Sequence, residues 1–251
     1  MKNTISNLIQ ALTTSYSRLV DVIKRAFPWV GSTSASAPGP VSTPNLNAVL
    51  LNLCDGDHEL ALFVLKWIAY PYRRPGARMA RALWIYGGQG NGKSLFFQRA
   101  IAPIFASHAV TVRDQFHSYF NAWAHGIQLA IVEEFNGERG AVARAKQMMT
   151  ADELVIERQG KEPTRTPNTM NFIFLSGDMN PLPACVDGRR FVVVDAPPAL
   201  PREVYAAAAA EIENGATEAF REYFLKIINL KGFDRYSTPG EEDILPAKEA
   251  K

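Results

Sequence analysis

The 251-residue sequence predicts an α/β fold, a parallel sheet flanked by helices, and three observations carry that expectation. Short apolar runs at 82–86, 109–112, 127–132, 169–175 and 191–194 alternate with stretches of helical periodicity, which is how parallel sheets are built. The first run, Ala82-Leu83-Trp84-Ile85-Tyr86, leads directly into Gly87-Gly88-Gln89-Gly90-Asn91-Gly92-Lys93-Ser94 and then into the helical pattern Leu95 to Ile101. The third run ends in two carboxylates, Glu133 and Glu134, and acids at the C-terminal end of a buried parallel strand lie where such sheets collect ligands.

Composition sets bounds. The chain is 47% hydrophobic and 21% charged, ordinary for a globular protein with a core, and its net charge of +2 gives no global attraction to nucleic acid. Cys54 and Cys185 stand far apart in no metal-like spacing and are expected to be buried thiols in a reducing compartment. Neither a membrane-spanning run nor a signal-peptide core is evident, so a cytosolic location, bacterial or host, is expected.

In chain order, Ile5, Leu8, Ile9, Leu12, Tyr16, Leu19, Ile23 and Phe27 recur at helical steps, so residues 1–30 are expected to carry an amphipathic helix. It could pack on its own domain, contact another subunit or lie on a membrane; a polar face poor in Lys and Arg argues against the membrane. Residues 31–44, rich in Ser, Pro and Gly, have the composition of a flexible linker. The main domain is expected over 45–236, with a loose charged tail from 237 to 251. Two helical patterns flank Asp55-Gly56-Asp57, and Pro71 and Pro75 are expected to end the second. Arg73, Arg74, Arg78 and Arg81 then form either a phosphate-contacting patch or solvated surface. Residues 113–125 are expected to be a helix whose aromatic residues face the core. A further helix is expected at 139–149. Glu153 to Arg158 is expected to enter a hairpin with its tip at Gln159-Gly160-Lys161-Glu162-Pro163, and 201–230 to be helical.

The glycine stretch has the full G-x-x-x-x-G-K-[ST] spacing in the strand-loop-helix setting that a phosphate-binding loop requires. Its backbone N–H groups and the following helix N-terminus suit a phosphate chain. Lys93 suits β/γ-phosphates, Ser94 suits Mg²⁺, and Leu95 opens the helix beside the nucleotide. Of Glu133 and Glu134, one can support Mg²⁺ through water and the other can orient or deprotonate the attacking water.

The order of parts, ending in Phe172-Ile-Phe-Leu-Ser-Gly-Asp-Met-Asn180 and Asp187-Gly-Arg-Arg-Phe191, resembles superfamily 3 helicases, AAA+-like P-loop ATPases. It is most similar to the helicase module of phage and plasmid primase-helicases, over roughly residues 48–196. The resemblance implies Walker A at Gly87–Ser94 and Walker B at Glu133–Glu134. It implies a pore loop whose Lys161, with Arg158, grips single-stranded DNA, and an arginine finger at Arg189 or Arg190 acting on a neighbouring subunit's site. ATP and Mg²⁺ are the implied cofactors, a hexameric ring the implied assembly, and a primase or origin-binding protein the implied partner. One departure stands out: the family closes its sensor strand with Ser-Asn, whereas this chain has Ser176-Gly177, so either Asn180 or Ser176 substitutes or hydrolysis is slow. The same residues suit two other classes, a nucleotide-dependent switch without motor activity and a membrane-associated viral replication ATPase.

Overall fold

The computed structural model describes residues 43–177 and 189–240. The expected N-terminal helix, nearly all of the linker, most of the tail, Cys185 and Asn180 lie outside these residues. Helices α1 (Pro44–Leu53) and α2 (His58–Arg73) come first, then β1 (Ala82–Tyr86) and a wide-turned helix over Leu95–Ile101 that tightens into a 3₁₀ segment at Ala102–His108. Next are β2 (Ala109–Val112), β3 (Leu129–Val132), α3 (Arg139–Thr150), the hairpin strands β4 (Glu153–Ile156) and β5 (Thr164–Pro167), and β6 (Asn171–Leu175). Strand β7 (Phe191–Asp195) and helices α4 (Arg202–Glu213) and α5 (Ala216–Glu222) complete the domain. Five strands form one sheet in the order β2-β3-β6-β1-β7, with every pairing parallel.

Side chains of a strand alternate between faces, and here each face has its own core. Leu83 and Ile85 of β1, Leu129 and Ile131 of β3, Ile173 and Leu175 of β6 and Val192 and Val194 of β7 meet α1, α2, α4 and α5. Trp84, Ala130, Val132, Phe172, Phe174 and Phe191 point the other way, onto α3, the hairpin and Phe116. That second core is largely aromatic: Trp84 stands edge-on to Phe135 at 4.8 Å, Phe135 meets Phe174 at 4.3 Å, and Phe116 lies within 5.9 Å of Phe174. Burial on both faces is why these strands are continuous apolar runs.

Three details differ from the sequence expectations. Helix α2 passes through Pro71 to Arg73; in the last turn the missing N–H costs one hydrogen bond and the helix stops anyway. Residues 113–125 are not a helix but two short 3₁₀ turns, Asp114–His117 and Ala122–Ala124. Phe116 is buried and Trp123 packs against the core, but Tyr119 and Phe120 are exposed at 69% and 44%. Asn121 explains the outward loop, because its amide accepts from Glu157 N–H and donates to Val155 O, tying the segment to the end of β4. The 201–230 stretch breaks at Gly215, whose φ of 97° suits glycine.

The arginines at the end of α2 and just after it are internal ties. Arg73 donates to the carbonyls of Phe224 and Ile228, Arg78 to Ala151 O and the Asp152 carboxylate, and Arg81 to Tyr236 O, while Arg74 lies over the Tyr70 ring. Cys54 is buried as expected, and burial, with Asp57 next, pushes its thiol up to about 12. Charge-assisted bonds such as those of Arg73 are worth roughly 1.5–3 kcal/mol. Arg73→Ala is therefore expected to lower the unfolding free energy by about 2 kcal/mol in urea titration while leaving strand affinity unchanged. Lost nucleic-acid binding at unchanged stability would return Arg73 to the phosphate-patch alternative.

Candidate functional site

Because all five strands run the same way, their C-terminal ends share one edge. Register pairs Ile85 with Leu175, Val132 with Phe174, Val112 with Val132 and Tyr86 with Asp195. The residues that follow, Gly87, Ser176, Glu133, Arg113 and Ala196, are therefore neighbours. A cavity of about 430 Å³ opens at this edge, lined by Gln89 through Leu95, Arg113, Glu133, Glu134, Leu175 to Gly177, and Tyr205.

The loop is held close by its glycines. Gly87 has φ 139°, and a Cβ there would lie 2.4 Å from Ala196 O; at Gly92, φ 91°, it would lie 2.7 Å from Val49 and 2.8 Å from Tyr205. No larger residue fits either place without displacing its neighbours. Lys93 Nζ donates to Gly87 O, Gly88 O and Asn91 Oδ1 at 2.7, 2.9 and 2.9 Å, which sets the ammonium at the mouth of the loop. Asn91 is 1% exposed, and its Nδ2 has no hydrogen-bond partner among the described residues. A buried orphan donor of this kind costs about 1–3 kcal/mol and suits an anionic ligand.

The two glutamates separate into different places. Ser94 Oγ donates to Glu133 Oε1 at 3.0 Å, joining the loop to the end of β3. Glu134 has φ 50°, a left-handed conformation uncommon for a non-glycine residue, and its carboxylate meets Arg113 Nη2 at 2.6 Å. Both partners of that pair are at least half exposed, so it adds at most about 1 kcal/mol to stability and acts by placing the carboxylate. Hydrogen bonds frame Glu134 on both sides: Glu133 N–H to Val112 O at 2.8 Å and Phe135 N–H to Leu175 O at 3.0 Å.

Ser176 closes the frame. Its hydroxyl accepts from Trp84 Nε1 at 2.7 Å and donates to Phe135 O, and the side chain is 2% exposed. Its proton is committed to a backbone carbonyl, so the expectation that Ser176 could substitute at a sensor position gives way to a structural role. Gly177 follows with no side chain, and Asn180 lies outside the described residues.

The remaining expected residues are elsewhere. Lys161 stands exposed at the hairpin tip, and Arg158 donates to Thr164 Oγ1 at 2.8 Å; neither lines the cavity. Leu154 and Ile156 anchor this hairpin to the aromatic core, and the exposed Tyr119 and Phe120 rings lie on the loop tied to β4. Arg189 and Arg190 precede β7 at the opposite edge, where Ala82 N–H donates to Arg190 O. A five-residue strand separates them from their own loop, about 16 Å. Sequence reasoning missed Arg113 and Tyr205. A charged residue immediately after an apolar parallel strand was a signal for Arg113; Tyr205 had none, since it reaches the loop only through the packing of α4.

Comparison with known proteins adds the following. A family described as "Family of unknown function (DUF5906)" matches residues 85–190, a span holding the glycine loop, both glutamates, the hairpin and the arginine pair. No curated protein matches the chain. Among solved structures, the A form apo structure of the NrS-1 C-terminal region is 26% identical with a TM-score of 0.62, covering 76% of this chain and 46% of that one. A second apo structure of the NrS-1 C-terminal region is 25% identical with a TM-score of 0.62, covering 74% of this chain and 47% of that one. The chain thus spans just under half the length of the structures it matches. No helix of the described residues is long and apolar enough to cross a membrane.

Ser176→Ala is expected to cost about 1–3 kcal/mol in denaturant unfolding, because it leaves the buried Trp84 N–H without an acceptor. A loss below about 0.5 kcal/mol, the range of neutral surface changes, would mean the hydroxyl does not hold the strand ends together.

Proposed function

We propose that this chain is an ATP-hydrolysing translocase on single-stranded DNA, a superfamily 3-type P-loop helicase acting as a ring oligomer in phage or plasmid DNA replication. The observation that carries the proposal is the Ser94–Glu133 hydrogen bond, which joins a G-x-x-x-x-G-K-S loop to the acidic end of a strand two places away in the sheet. Phosphoryl transfer needs positioning and charge stabilisation more than covalent chemistry, and this edge supplies both. Loop N–H groups and Lys93 face the phosphates. Ser94 and Glu133 are the groups that would hold Mg²⁺, which supplies charge neutralisation at the phosphoryl oxygens. Glu134, placed by Arg113, orients the attacking water and takes its proton.

The remaining features fit a motor. An exposed lysine at a hairpin tip is a point charge for a phosphate backbone, and Tyr119 and Phe120 nearby offer faces on which bases stack. Arg189 and Arg190, a strand length from their own loop, serve a neighbouring subunit's site, which makes the ring the active unit. A primase or origin-binding protein, joined or separate, would direct loading, and the bacterial or host cytosol is the expected location. Similarity to the NrS-1 C-terminal region supports this reading. A second one, a nucleotide-dependent switch, is favoured by Ser176-Gly177, where the Ser176 hydroxyl is bonded to Phe135 O and Gly177 has no side chain to offer a γ-phosphate.

Steady-state ATP hydrolysis with and without single-stranded DNA, over a range of protein concentrations, separates the two. A motor gives turnover that rises with DNA and more steeply than linearly with protein. Lys93→Ala is expected to abolish that turnover, and undiminished activity in the variant would sink the phosphate-loop assignment. Lys161→Ala is expected to keep basal hydrolysis and to weaken strand affinity measured by fluorescence anisotropy. Unchanged affinity would remove the hairpin from the strand path.

A further inference from the structure

The cavity extends beyond its acidic end. Glu133 and Glu134 stand on the β3 side of the loop; α4, which follows β7, brings Tyr205 to the same cavity from a different element, and Leu95 at the start of the loop's helix lines it too. A triphosphate whose terminal phosphate faces the glutamates extends its other end away from them. Tyr205 is well fixed for a contact there. A Cβ on Gly92 would lie 2.8 Å from its ring, and its hydroxyl accepts from Leu200 N–H at 2.8 Å.

We propose that Tyr205, with Leu95 on the wall of the same cavity, is the nucleobase shelf of this site and that the contact selects for a planar base without choosing among bases. This deepens the proposed function and rests on it. A tyrosine ring and a leucine offer faces, not a directional set of donors and acceptors, and every base has a π-face to lay on them. The cavity's volume lies within the range of small-ligand sites. The neighbouring cavity beyond Gln89 is walled by Asp55, Asp195 and a Pro197-Pro198 turn and presents no aromatic face. The shelf therefore predicts an enzyme that uses adenine, guanine and cytosine triphosphates alike.

Calorimetric titration of the full chain with ATP, GTP, CTP and inorganic tripolyphosphate tests this. The three nucleotides are expected to bind within a few-fold of one another, and more tightly than tripolyphosphate. Tyr205→Leu, which keeps apolar bulk against Gly92, is expected to weaken all three nucleotides about tenfold and to leave tripolyphosphate unchanged. Tyr205→Phe, which keeps the ring and loses only the Leu200 bond, should weaken the nucleotides less than Tyr205→Leu does. Equal weakening of nucleotides and tripolyphosphate would make Tyr205 a mere support for the loop and overturn the shelf. So would no change in either, a strong preference for one base, or a nucleotide-specific loss in Asp55→Ala. A wild-type chain that binds neither ATP nor tripolyphosphate would instead overturn the phosphate-loop reading, and the shelf with it.

Discussion

The site depends on one buried hydroxyl. Ser176 Oγ accepts a hydrogen bond from the Trp84 indole N–H and donates one to the carbonyl of Phe135, so a single side chain ties the end of β6 to β1 and to the turn after β3. Backbone bonds complete the tie: Ser176 N–H to Ile85 O, Phe135 N–H to Leu175 O and Glu133 N–H to Val112 O. Within this frame Glu134 keeps a left-handed backbone that costs roughly 1–2 kcal/mol for a non-glycine residue. The aromatic core beneath, with Trp84, Phe135 and Phe174 in mutual contact, fixes the frame on the other side. The backbone that carries the carboxylate is thus set by packing well away from it.

The strands and the loop were legible because their signals are local. A strand buried on both faces must be an apolar run, and a loop that curls beside Ala196 and Tyr205 must be glycine at Gly87 and Gly92. The 113–125 stretch was misread because periodicity counts residue types and ignores direction. Phe116 and Trp123 do face the core; Tyr119 and Phe120 between them fit the same spacing yet point outward, since Asn121 pairs with a strand more than thirty residues later. The arginines at the end of α2 and just after it carried the same ambiguity. Their partners, carbonyls at Ala151, Phe224, Ile228 and Tyr236, are distant in sequence, and only the fold brings them together.

For the candidate site, spacing pointed to Lys93, Ser94 and Glu133; the fold lines one cavity with all three and bonds Ser94 to Glu133. It also gave the two adjacent glutamates different partners. Ser94 reaches one, and Arg113 holds the other. Exposure decides how to regard that second contact. A half-exposed ion pair is weak, so it places a carboxylate without locking it. Ser176 shows the opposite case, where a residue suited to chemistry by type is fully occupied by structure.

The direction of the sheet carries the last step. Parallel strands place every C-terminal end on the loop's edge and every N-terminal end on the other, so Arg189 and Arg190, just ahead of β7, cannot face the loop of their own chain. No side-chain rotation spans a five-residue strand. Under the proposed function, Arg189 or Arg190 could act on a transferring phosphoryl group only in another copy's site, whereas Arg113 lines the cavity of its own chain. A switch that only binds nucleotide needs no such arginine. Whether activity scales with assembly therefore bears on function as directly as any residue at the loop itself.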